Sequence, residues 1–183
     1  YVTRYQSGIS SSLVLDEFYQ ELQFIRALDP IVMDSLIVRP NPNIGWNTRQ
    51  RYIDELGVEK LSKHHSILGD FDNSKIIVCT YPETTFLEAM YSGVPTILLY
   101  KRDCWETATK FDDLIKLLEG VNILFSDSVA ASNHINKIWN NPNYWWSLPE
   151  VVNAREEFFD QCGRVDDNWL DQWGDFFKEQ LIN

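Results

Sequence analysis

Thr84 and Thr85 stand at the start of a short helical pattern that carries Glu88 one turn in. Two hydroxyls beside the open N–H groups of a helix N-terminus are donors for an anionic oxygen, and the peptide dipoles add positive charge there. Glu88 could then accept hydrogen bonds from the two hydroxyls of a ribose. The same residues also read as a helix cap. Thr85-x-x-Glu88 is a capping-box pattern, and by local pattern alone the cap is the commoner meaning. Thr80 and Tyr81 lie just upstream, in the loop leading to this helix. Arg39 ends the apolar run SLIVR, directly before Pro40. A fixed guanidinium at a strand end can face a phosphate or carboxylate with two hydrogen bonds. By spacing alone, a surface arginine paired with one of the many acids is the simpler reading.

Other chemistry-bearing residues carry less. His64 and His65 are adjacent, with Asp70 and Asp72 nearby. Adjacent histidines point apart on a helix or strand, so no metal site is expected. Asp103, Glu106 and Asp112 follow a strand end and could supply a general base, although solvated loop carboxylates are commoner. His134 is isolated and Cys79 sits inside an apolar run, so no nucleophile–histidine pair can be assembled. Neither GxGxxG nor GxxxxGK[ST] occurs.

The elements that must position these groups follow from periodicity and punctuation. Leu15, Phe18, Leu22, Ile25 and Leu28 predict a helix from Leu13 to Leu28, after a Ser-rich start. Ser35–Arg39 predicts a buried strand, Trp46–Leu56 a helix stopped by Gly57, and Ser66–Gly69 a weak strand. Ile76–Cys79, Thr84–Ser92 and Thr96–Tyr100 predict strand, helix and strand, with Gly93 and Pro95 in the turn. Phe111–Glu119 is a helix, Asn122–Phe125 a strand, and Ser126 or Ser128 caps a helix to Asn140. Ser147-x-x-Glu150, with Pro149 inside it, is a capping box opening a helix to Gln161. A last helix, Asp167–Leu181, gathers Trp169, Leu170, Trp173, Phe176 and Phe177 on one side. Strands alternating with helices predict an α/β fold, an open and mostly parallel sheet with helices on both faces. In such sheets ligands sit beyond the carboxyl ends of the strands, which is where Thr80–Thr85 falls.

The totals bound the rest. With 183 residues the chain is expected to form one domain, 1–183, its C-terminal helices 147–181 packing on the sheet or on a part not included here. A net charge of −11 argues against nucleic acid and against an anionic membrane surface. Cys79, Cys104 and Cys162 are odd in number and widely spaced, as reduced cytoplasmic thiols are. No apolar run approaches the ~20 residues of a membrane span. The chain begins at Tyr1 and not at methionine, so a longer protein is expected.

The run TTFLEAMYSGVPTILLY, with VRPNPNIGW, CWE, VNILFSD and WWSLPEVVNAREEF in that order, resembles the donor half of glycosyltransferases of the two-Rossmann, GT-B architecture. More narrowly it is similar to transferases of bacterial surface-polysaccharide and O-antigen clusters, from about Leu36 to Trp173. The resemblance implies a Rossmann-like half that binds a nucleotide-activated sugar through Arg39, Thr80, Tyr81, Thr84, Thr85 and Glu88. Glu88 would hold the donor ribose, and the threonines the phosphates. Arg39-Pro40 falls where related transferases carry His-Pro. Thr80 occupies the place of a second glutamate found in many retaining enzymes, so their mechanism does not carry over. No cofactor and no metal are implied. The acceptor glycan would enter from a missing N-terminal domain, leaving this half inactive alone. It could dimerise through its exposed interdomain face. The full enzyme would work in the cytoplasm, peripherally at the inner membrane. Two alternatives remain at this point: a CDP-polyol phosphate transferase of wall polymers, and a non-enzymatic Rossmann-like interaction module.

Overall fold

The apolar stripe Phe18, Leu22 and Ile25 forms helix α1 (Val14–Arg26), which buries it together with Phe24. The structure, a computed structural model, describes residues 13–41, 47–104, 107–163 and 166–182. The Ser-rich start, Trp46 and Glu106 lie outside the described residues. After α1 come α2 (Pro30–Asp34), α3 (Thr48–Leu56) and α4 (Ile67–Asp72). Strand β1 (Ile77–Cys79), α5 (Thr84–Tyr91) and β2 (Thr96–Leu99) follow. Then come α6 (Asp112–Gly120), β3 (Leu124–Phe125), α7 (Ser128–Ile138), α8 (Pro142–Trp146), α9 (Pro149–Cys162) and α10 (Trp169–Ile182). Between α5 and β2 the chain reverses at Gly93, whose φ of 80° is a region that side chains avoid.

The three strands pair in parallel in the order β1-β2-β3. Ile77 faces Thr96, Val78 faces Ile97 and Cys79 faces Leu98, while Leu98 faces Leu124 and Leu99 faces Phe125. β2 is buried along its whole length. Around it one core cluster joins Leu22 and Ile25 of α1, Phe86 and Met90 of α5, Leu118 of α6, Ile135 of α7 and Val151 of α9.

This arrangement corrects the expected sheet-dominated, Rossmann-like fold. The strands hold three, four and two residues. The structure is mainly helical around a small open sheet, with helices pairing directly on helices. α1 lies along α7, and α6 along α9. Two expected strands do not form. Ser35 and Leu36 stay hydrogen-bonded to Val32 and Met33 at the end of α2. Only Val38 makes a parallel bridge, to Leu61, by bonding Lys60 and Ser62. Ser66–Gly69 becomes the start of α4, because the Ser66 hydroxyl accepts from the Leu68 N–H and caps a helix. The apolar periodicity does not mark the short helices α2 and α8. Each opens on a proline, a residue preorganised for the first helical position.

Candidate functional site

β1 ends at Cys79, and the loop to α5 leaves from the carboxyl end of the sheet. Thr80, its first residue, hydrogen-bonds the Glu21 carboxyl of α1. The Tyr52 hydroxyl of α3 donates to the same carboxyl. Tyr52 is itself fixed by the edge of Phe18, with ring centroids 5.2 Å apart. Three elements therefore converge on one carboxyl group at the rim where parallel sheets usually present ligands. Burial pushes Glu21 up from 4.5 to about 7, against the pull of its two hydroxyl donors, and Glu17 one turn back raises it further. Burial and the facing Glu21 charge raise Tyr52 as well.

Beside this group lies a second one. Tyr81 hydrogen-bonds the side chains of Thr85 and Asn41, and burial raises its hydroxyl above the usual tyrosine value. The loop is thus tied both to the start of α5 and to the segment after Val38. α5 itself begins at Thr84 with Glu83 in the cap position and no side-chain cap. The Thr85–Glu88 capping box is not made. Thr84 is exposed and Thr85 half-buried at the open end of the helix.

The remaining expected residues lie apart from this pair of clusters. Arg39 donates to Asp70 (2.7 Å), to the carbonyls of His64 (2.9 Å) and His65 (3.0 Å), and to Ser62 (3.3 Å). Its guanidinium is spent on fixing the 62–70 segment, and the two histidines offer it backbone oxygens. Glu88 is exposed and lines an apolar pocket with Leu68, Leu87 and Tyr91. Asp112 pairs with Arg102. Cys79 is buried, with its thiol pushed up to about 12, so it is no nucleophile. Among the described residues, no group of three or more His, Cys, Asp and Glu could hold a metal ion.

Sequence reasoning missed Glu21. One signal was present: it lies three residues after Phe18 and four before Ile25, a carboxylate on the edge of an apolar stripe.

The model of the LIC12162 family of transferases matches residues 1–177, and the chain belongs to that family. No curated protein and no solved structure matches it. The match supports transferase membership and nothing narrower. With a mainly helical molecule around a three-stranded sheet, it overturns the expectation of a GT-B glycosyltransferase half binding a nucleotide sugar for surface polysaccharide. The two alternatives built on the same Rossmann-like half, polyol phosphate transfer and a partner-binding module, fall with it.

Proposed function

We propose that this LIC12162-family transferase carries out its group transfer at the carboxyl-terminal rim of the sheet, with Glu21 as the group that exchanges the proton. Transfer of a group to a hydroxyl or amine releases a proton from the acceptor, which needs a base near the working pH. The observation that carries this reading is the Glu21 carboxyl, raised to about 7 and held by Tyr52 and Thr80 at that rim. Buried, perturbed carboxyls cluster at functional sites for this reason. Thr80 and Tyr81 would set the loop, and Thr84 and Thr85 would offer the open start of α5 to an oxygen of the substrate. Arg39 supports the loop at one remove, by anchoring the strand-like segment from which Asn41 reaches Tyr81. We place the reaction in a reducing compartment, because Cys79, Cys104 and Cys162 are all free. No helix among the described residues is long and apolar enough to cross a membrane.

The test is a thermal-shift screen of acyl, phosphoryl, sulfuryl and amino donors. A true ligand stabilises the chain by RT ln(1 + [L]/Kd). The shift should shrink in Thr84→Val/Thr85→Val. In Glu21→Gln binding should remain, while turnover of the ligand found is lost. A ligand whose shift ignores the threonine pair would place the site elsewhere.

A further inference from the structure

Tyr52 belongs to α3, a helix that contributes neither a strand nor the loop beyond β1. It is the one residue of α3 that is buried, at 6% exposure. Phe18 of α1 meets its ring edge-on, 5.2 Å between centroids and 71° between planes. Further along the same two helices Arg26 donates to Glu55 at 2.7 Å, so α3 is tied to α1 on both sides of the ring. With the ring so fixed, the hydroxyl meets Oε2 of Glu21 and donates to it. A phenylalanine would fill the same space against Phe18. Only the hydroxyl distinguishes the two side chains, and the carboxyl is what it meets. Thr80 reaches that carboxyl from the β1–α5 loop. A carboxylate has about four acceptor positions. Two hydroxyls occupy part of them and leave the rest for a proton-bearing atom of a substrate.

We propose, on the reading of Glu21 as the group that exchanges the proton, that Tyr52 is its positioning residue: the hydroxyl fixes the orientation of the Glu21 carboxyl and holds it in the carboxylate form that can accept a proton. Tyr52 touches no substrate and acts through Glu21 alone. The bond runs one way, because burial and the facing Glu21 charge keep the Tyr52 proton in place at any working pH. A hydrogen bond donated to a carboxylate favours the charged form. Burial opposes it, and so does the charge of Glu17, four positions earlier on the same face of α1. At about 7 the balance leaves Glu21 roughly half charged at pH 7. Losing one bond to a charged group moves such a balance by about one pH unit or more. Only about a tenth of the carboxyl would then be ready as a base at pH 7.

The test is a pH titration of the whole chain by NMR, with carbon-13 in the glutamate carboxyls. Glu21→Gln identifies the Glu21 signal by its disappearance. In Tyr52→Phe the Glu21 midpoint should rise by about one pH unit or more, with the circular dichroism of the wild type. Thr80→Val removes the other donor and should raise it too, whereas Glu17→Gln removes a like charge and should lower it. A Tyr52→Phe midpoint that does not move overturns the proposal, since the hydroxyl would then be a packing detail. A midpoint that falls toward 4.5 overturns it as well, because the ring would serve only to exclude water. Replacing Tyr52 by 3-fluorotyrosine keeps the ring and makes the hydroxyl a stronger donor, so the midpoint should fall slightly. No movement there overturns the proposal even if Tyr52→Phe fails to fold. The titration needs no substrate, so it is read separately from turnover. Full turnover in Glu21→Gln would remove the base reading and this role with it, whatever the midpoint in Tyr52→Phe.

Discussion

Glu21 and His134 tilt the pH dependence of stability in opposite directions. Glu21 has a native value of about 7 against 4.5 when free, so the folded state favours its protonated form. That advantage is complete below pH 4.5 and is lost as the pH rises to 7, by about 3 kcal/mol in all. His134 sits between Phe125 and Trp145, with its Nε2 buried and unpartnered. Burial lowers it from 6.5 to about 4. Its stabilising effect is present above pH 6.5 and lost as the pH falls toward 4. In the wild type the two effects oppose each other across pH 4.5–6.5. Urea unfolding of Glu21→Gln should therefore show stability rising with pH over that range, and His134→Phe should show it falling. Two parallel curves would mean that neither group is desolvated as described. Neither role was legible in the sequence. A glutamate at the edge of an apolar stripe and a lone histidine become special only through burial against other elements, α3 and the Thr80 loop for one and α8 for the other.

At the scale of elements, the seam between α1 and α7 is polar as well as apolar. The Ser132 hydroxyl, fully buried, lies 2.7 Å from the Phe24 carbonyl, and that of Ser128 donates to Gln20 O at 2.9 Å. Asn136 works at both ends of its amide: its Nδ2 donates to Ala27 O and its Oδ1 accepts from the Asp29 N–H. Asn136→Ala removes both bonds and should cost about 1–3 kcal/mol in chemical denaturation. Asp127 caps α7 by accepting from the Ala130 N–H at 2.6 Å. Asp127→Ala should cost ~1 kcal/mol, the ordinary loss for a helix cap. Ser147→Ala should cost almost nothing. Its hydroxyl donates to Tyr144 O, and α9 starts behind Leu148 with no side-chain cap. A loss as large as that of Asp127→Ala would show that the capping box does form in solution.

Those caps also show where sequence reading works and where it stops. Periodicity located α1, α5, α6 and α7 within a few residues, because a repeat of three or four apolar positions has one cheap solution. The apolar run Thr96–Tyr100 located β2 for a similar reason. Capping boxes failed at Thr85 and Ser147, since a start two residues earlier in one case and one later in the other leaves the same four letters without their hydrogen bonds. Ser35–Arg39 failed because three apolar residues in a row fit the tail of a helix as well as a strand.

For the whole molecule, the sheet is smaller than the alternation of runs in the sequence predicts. Three parallel strands joined through helices are present, in the order expected of consecutive crossover units. Ser66–Gly69 went into a helix, Ser35–Arg39 kept a single bridge, and the sheet became a small inner piece. A few strands suffice to aim Thr80 at Glu21. The net charge of −11 is a whole-molecule property too. Mutual repulsion among the acids opposes compaction and is screened by salt. Melting temperature should rise as sodium chloride goes from 20 to 300 mM. A fall over that range would show that attractive ion pairs such as Arg26–Glu55 dominate instead.

The seam that joins α1 to α7 spans up to 109 positions in the chain. A ribosome adding about 5–20 residues per second makes α1 many seconds before α7 exists. During that interval the face of α1 that α7 covers stays open, and Glu21 waits first for Tyr52 and then for Thr80. The nascent chain thus displays an apolar stripe interrupted by a charged carboxylate. That charge, costly once the protein is folded, keeps the waiting helix in water until the far half of the chain arrives to cover it.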